Sequence, residues 1–353
     1  MTSVDRLIEK FDELNIDAAI LFDETNQYYF SKYRFSDGAL LITRKTNYLI
    51  TDFRYTEDAI SKVKEGFEIV APKSQLEFIC DALKNENIKS LGFEDDTLSY
   101  EKYKRLSEKF AIDMHGIGTA ISEFRTVKDE REIGKIAKAQ EITDKTFSHV
   151  LNIITPNITE TELALEMEFF MRKNGAEGIA FDTIAVSGSA SSLPHGVPRN
   201  IPLQKGFLTL DFGAKVEGYC SDMTRTVSIG KATSEMKKIY ETVLKAQSLG
   251  LERIKEGELC SDLDKTARDY IYNSGYEGCF GHSLGHGVGL YIHESPRLSM
   301  SYNVPLKAGN IVTVEPGIYV SGNCGCRIED MVLVTKDSYM NFTKSKKELI
   351  ELF

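Results

Sequence analysis

The sequence predicts a mixed α/β (α+β) fold in two parts. A smaller α/β domain is expected over residues 1–122, and a larger one over residues 123–353, made of two related halves about a pseudo-twofold axis. Three observations carry this expectation. The first third alternates helical and strand-like patterns. The remainder holds a module that recurs at an offset of one hundred residues. Each copy ends in an apolar, strand-like segment that delivers two carboxylates. The length of 353 residues agrees with two domains at roughly one per 150 residues.

In chain order, Leu7, Ile8, Phe11 and Leu14 recur at helical spacing, and the apolar AAILF (18–22) reads as a strand. GALLI and NYLIT, joined by the polar TRKT, read as a hairpin. Helices follow at RYTEDAISKVKEG, QLEFICDALKNEN and SYEKYKRLSEKF. The segment 123–154, EFRTVKDEREIGKIAKAQEITDKTFSHVLNII, is charged at first and reads as helical throughout.

The internal repeat pairs NGAEG (174–178) with SGYEG (274–278). Each is preceded by a helix with a capping signal, Thr159 with Glu162 and Ser261 with Asp264. Gly175 and Gly275 read as helix stops. Downstream, GFLTLDFGAKVEGYCSD (206–222) parallels GNIVTVEPGIYVSGNCGCRIED (309–330). Both run glycine, β-prone apolar residues, an acid, a glycine two positions on, and a second acid 11 or 14 positions after the first.

A net charge of −10 argues against a general nucleic-acid binder, because phosphate affinity comes from clustered Lys and Arg. The N-terminal stretch lacks the apolar core of a signal peptide, and no apolar run approaches the ~18 residues of a membrane span. The expected location is the cytoplasm, with no membrane partner. The six cysteines are scattered without a CxxC pair and read as reduced thiols. Cys324-Gly-Cys326 resembles half of a zinc site whose other half is missing.

Asp211 and Glu315 each close an apolar strand pattern, where a core residue is expected, and Asp222 and Glu329 occupy matching positions in the two copies. Singly, each acid reads equally well as the partner of a salt bridge. Together they concentrate four negative charges, which need protons or a cation for balance. Four of the six histidines lie in two short glycine-containing stretches: His195 in SSLPHGVP, and His282, His286 and His293 in GHSLGHGVGLYIHE. Glycines at 281, 285, 287 and 289 let the backbone approach a ligand or metal closely. The run lacks GxGxxG spacing, so it is not a dinucleotide fingerprint. An imidazole with four carboxylates is a hard, oxygen-rich ligand set that suits Mn²⁺ or a similar first-row ion, and paired carboxylates suit two ions held together.

The ordered set LDFGA, YCSDMTRT, GHSLGHGVG, VEPGIY and CRIED, with SLPHG upstream, resembles the pita-bread metallopeptidases (M24). That family includes methionine aminopeptidase, aminopeptidase P, prolidase and creatinase. The resemblance covers the chain from about residue 126 to its end, and the first domain has the size and pattern of the companion seen in the proline-specific branch. It implies two divalent ions per chain, most simply Mn²⁺ with Co²⁺ or Zn²⁺ as alternatives. Asp222 and Glu329 would bridge them, Asp211 would bind one, and His286 and Glu315 the other. It further implies that Glu315 handles the proton of the attacking water and that His195 and His293 donate hydrogen bonds to the substrate and the developing oxyanion. His282 matches an additional site histidine, with a structural role as the alternative. Arg327 and Tyr319 match positions lining the site, or else form a buried ion pair and a core tyrosine. Arg297 matches an arginine that meets a substrate carboxylate, or else is an exposed loop arginine.

The activity so implied is hydrolysis of the bond before proline in short peptides, by an Xaa-Pro aminopeptidase or Xaa-Pro dipeptidase working as a homodimer. A methionine aminopeptidase generally lacks a companion domain of this size. A creatinase does not depend on the five metal-binding positions, all retained here. A binding protein that kept the fold and lost the chemistry characteristically loses ligands, and none is lost.

Overall fold

A computed structural model describes residues 2–63 and 66–353. The chain divides into two compact units, Met1–Arg125 and Thr126–Phe353. Among the described residues, no helix is long and apolar enough to cross a membrane.

The first unit is built on a six-stranded sheet. Its strands run, in spatial order, Glu68–Val70, Asn47–Ile50, Ala39–Thr43, Ala18–Leu21, Ser90–Phe93 and Asp113–Gly116. Ala18–Leu21 is buried along its whole length, which is why it reads as a continuous apolar run rather than an alternating one. The expected hairpin is present, with Leu41 opposite Tyr48. Its turn is held by Thr43, whose hydroxyl accepts the amides of Lys45 and Thr46. Asp52, Ser74 and Ser99 cap helices at Phe53–Lys62, Gln75–Asn85 and Tyr100–Phe110. The expected helix over 54–66 extends onto residues 64 and 65, which lie outside the described residues. The helical pattern at the N-terminus resolves into two pieces, Ser3–Glu9 and Phe11–Leu14.

The segment 123–154 is not helical throughout. One helix, Gly118–Phe124, ends there, and a second, Glu130–Ile153, starts afresh. The break has a local cause. Asp129 accepts the amides of Arg131 and Glu132 while Glu132 returns a bond to the Asp129 amide, a capping box that cannot form inside a continuous helix.

In the second unit, Thr159 and Glu162 form the expected capping box of helix Glu160–Lys173. One hundred residues on, helix Cys260–Ile271 begins in register with it but lacks a side-chain cap. Ser261 and Asp264 therefore do not cap. Ser261 donates to Asn303, and the Asp264 carboxylate is taken by Arg268 and the Leu284 amide. Gly175 and Gly275 both have positive φ, 103° and 94°, as their reading as helix stops requires.

Each half then supplies an antiparallel strand pair. Gly206–Phe212 pairs with Met223–Ile229, and Ile311–Val314 pairs with Asp330–Val334. Along Gly206–Phe212, Leu208, Leu210 and Phe212 enter the core beneath Glu160–Lys173, whereas Phe207 joins the core of the other half. Strand alternation puts Asp211 on the Phe207 face. Asp222 and Glu329 stand immediately before the returning strands, and Glu315 immediately after Val314.

Candidate metal centre and active site

The two strand pairs bring their acids to one cavity of about 780 Å³. Its wall includes Asp211, Asp222, His286, Glu315 and Glu329, and also His195, His282, His293, Arg297 and Arg327. Tyr319 stands behind the wall, its hydroxyl hydrogen-bonded to Arg327 and 2.9 Å from the His282 ring.

Asp211 faces Thr224 on one neighbouring strand and Ile184 on the other. Arg327 Nη2 donates to Asp211 Oδ2 at 2.6 Å. The Thr224 hydroxyl donates to Glu329 Oε2 at 2.8 Å and accepts from Arg327 Nε at 3.0 Å, tying an acid of the second half to a strand of the first.

His286 lies on a short strand, Gly285–Gly287, squeezed between two others. A Cβ at position 285 would fall 2.0 Å from the Thr313 carbonyl, and one at 287 would fall 2.5 Å from the Ser295 carbonyl. At these two positions glycine is required by neighbouring backbone. The Nδ1 of His286 faces the Gly287 carbonyl at 3.1 Å and so carries the proton. In the absence of a cation Nε2 donates to Glu315 at 3.2 Å and lies 3.5 Å from Asp222, and a bound cation would take its lone pair instead. Thr313 accepts the His286 amide and donates to Glu315, both at 3.1 Å.

Left to protein groups alone, these acids are poorly balanced. Burial, then the charges of Glu329 and Asp211, push the Asp222 carboxyl well above the usual carboxylate range. Burial, then Glu315 and Asp211, do the same to Glu329. Asp211 is also raised by burial, which outweighs its pairing with Arg327. Glu315 goes the other way: burial opposes its charge, but the hydrogen bond and charge of His286 outweigh it and hold the carboxyl at about 2. Burial lowers His282 and His293, the latter also through the charge of His286.

A divalent cation fits this arrangement. Asp211 Oδ1 and Glu329 Oε1 are buried and have no hydrogen-bond partner among the described residues, a costly state for a carboxylate oxygen unless a cation takes the lone pair. Ligand atoms of Asp222, His286 and Glu329 lie within 4.8 Å of one another. Cys324 and Cys326 are free thiols on the buried strand Cys324–Arg327 and are not part of that group.

The apolar residues beside the histidines differ in their placement. Val197 and Ile292 line the cavity, whereas Leu290 is buried and Leu193 is exposed and off the wall. Sequence reasoning did not single out Thr224 or Thr313. Each stands two residues from a site acid on the same face of its strand, a period-2 signal that was available. It also missed Lys128 and Glu294, a buried ion pair at 3.1 Å whose acid adjoins His293.

Residues 134–336 match Metallopeptidase family M24, and residues 4–127 match the Creatinase/Prolidase N-terminal domain. The Xaa-Pro dipeptidase of Pyrococcus horikoshii is 39% identical over 351 residues, 98% of each chain. The structure of a Xaa-Pro dipeptidase from Bacillus anthracis superposes with a TM-score of 0.96 at 42% identity, covering 99% of both chains. That of an X-Pro aminopeptidase from Thermotoga maritima gives 0.92 at 36% identity, again covering 99% of both.

Proposed function

The chain belongs to metallopeptidase family M24, and from that premise we propose that it is a Xaa-Pro peptidase dependent on two divalent metal ions. It is a peptidase with the pita-bread fold of that family. The observation that carries the metal assignment is the pair of buried oxygens, partnerless among the described residues, on Asp211 and Glu329, in a cavity shared with Asp222, His286 and Glu315. When bound there, divalent ions make water nucleophilic at neutral pH and polarise a scissile carbonyl. The oxygen-rich ligand set supports Mn²⁺. The family resemblance supports a homodimer, and a cytoplasmic location is part of the same proposal.

The protein's own groups divide the remaining work. Asp222 and Glu329 would be shared by the two ions, Asp211 would hold one, and His286 with Glu315 would hold the other. Thr313 and the Gly287 carbonyl fix how these last two side chains point. Glu315, as a carboxylate, would receive the proton of the attacking water. His195 and His293 donate to the substrate carbonyl as it gains charge. Tyr319 and His282 orient Arg327, and through it Asp211.

Arg297 supports the dipeptidase reading. It lines the cavity, lies opposite His286 on the adjacent strand, and has no hydrogen bond or ion pair among the described residues. A free substrate carboxylate is its natural partner. Chelation followed by Mn²⁺ or Co²⁺ addition tests the metal assignment: peptidase activity should vanish and return. Arg297→Ala tests the substrate length, since it should slow Xaa-Pro dipeptides more than Xaa-Pro-Xaa tripeptides. An equal effect on both lengths removes the dipeptidase reading.

A further inference from the structure

The histidines on the cavity wall are not held alike. The His282 ring is bonded at both nitrogens, to the Ser283 carbonyl and to Tyr319. His293 packs edge-on against His286, with ring centres 4.3 Å apart. The His195 ring has no hydrogen bond and no ring contact with any other described residue, so its place on the wall is set by the backbone of its loop.

Both ends of that loop close on one carboxylate. Glu160 is fully buried in the first turn of its helix and accepts five hydrogen bonds. Its Oε1 takes the amide and hydroxyl of Ser187, each at 2.7 Å, and Arg199 Nη2 at 2.6 Å. Its Oε2 takes the amide and Nε of Arg199 at 2.9 and 2.8 Å. Arg199 Nη2 also reaches the Ser187 carbonyl at 3.0 Å, so residues twelve positions apart are joined directly as well as through the acid. His195 lies between them.

The second half uses the same device. Asp264, buried in its own helix, pairs with Arg268 and accepts the Leu284 amide, and Arg268 donates to the carbonyls of Phe280 and His282 at 2.6 and 2.7 Å. On each side of the cavity, a buried carboxylate and its partner arginine hold the backbone that carries a histidine. A carboxylate needed only for stability has to be paired. Glu160 directs all its hydrogen bonds to the two ends of a single loop.

We propose that Glu160 and Arg199 are positioning residues for the hydrolytic reaction, clamping the Ser187–Arg199 loop so that His195 reaches the substrate carbonyl. The inference rests on the role given to His195 under the proposed function. Its test is a double-mutant cycle on the Mn²⁺-loaded protein with Ala-Pro, combining Arg199→Met with His195→Ala. Arg199 is 37% exposed at its side chain, which favours folding of the variant. Ser187→Ala and Arg199→Lys provide the same cycle if Arg199→Met does not fold.

In the otherwise unchanged chain, Arg199→Met should lower kcat about tenfold with KM within about twofold and metal content unchanged. Arg199→Lys should recover part of that loss. In the His195→Ala background Arg199→Met should cost nothing further. A full loss in that background, a loss of metal, or a wild-type kcat for Arg199→Met overturns the clamp. A wild-type rate for His195→Ala alone overturns instead the role given to His195.

Discussion

The Arg327 guanidinium donates to Asp211 Oδ2 across 2.6 Å and leaves Asp211 Oδ1 buried without a partner among the described residues. The arginine therefore occupies one face of the acid and aims the other into the cavity. Arg327→Met should weaken binding of one of the two ions by about 10–100-fold, the usual cost of removing a group that orients a metal ligand. Mn²⁺ titration by calorimetry checks this, and unchanged affinities for both ions would separate Arg327 from the metal site.

The bridging assignment predicts a sharper effect. Asp222→Ala and Glu329→Ala should each lose both ions, whereas His286→Ala should weaken one more than the other. Elemental analysis that finds two ions per chain in Asp222→Ala would show the ligand map to be wrong.

Metal binding and catalysis should separate at the histidines. His195→Ala and His293→Ala are expected to keep both ions while losing about 10²–10³-fold in kcat, the range for one oxyanion-type donor. Near-normal rates in both variants would reduce these side chains to wall residues.

The first unit offers a pH test that involves none of the metal-site residues. Glu94 is buried, and burial raises its carboxyl to about 7 despite hydrogen bonds from the Phe22 and Asp23 amides and Asn26. Between the ordinary carboxylate range and 7, the folded chain holds a proton that the unfolded chain has released. Stability due to this group should thus fall as pH rises through that window and level off above it, by on the order of 3 kcal/mol in all. Urea denaturation of the wild type and Glu94→Gln at pH 5, 6, 7 and 8 should show the difference between them changing across the window. A constant difference would contradict the shift.

Much of this architecture was legible because the repeat and the ligand acids are periodic features of the chain. Asp211 and Glu315 interrupt apolar strands, and the glycine-stopped helices recur at a fixed offset, so pattern alone leads to two halves sharing a site. What escaped were features decided by partners distant in sequence. Asp264 matches a capping pattern, yet its carboxylate goes to Arg268 and Leu284. Gly285 and Gly287 make room for neighbouring strands. The break before Glu130 was missed for a nearer reason: Asp129 and Glu132 can serve a helix interior as well as a cap, and only their reciprocal bonds decide. Glu160 shows no motif at all, since its five bonds run to residues 27 and 39 positions away.

The central claim is a metal-dependent peptidase selective for the bond before proline. It is tested most directly by comparing hydrolysis of Ala-Pro and Ala-Ala by the Mn²⁺-loaded protein. A proline amide has no N–H and a fixed ring, so a site that accepts it must be shaped for it. Val197 and Ile292 beside His195 and His293 supply apolar wall and donors together. The account predicts that Ala-Pro is cleaved much faster than Ala-Ala; equal rates on the two dipeptides would contradict it.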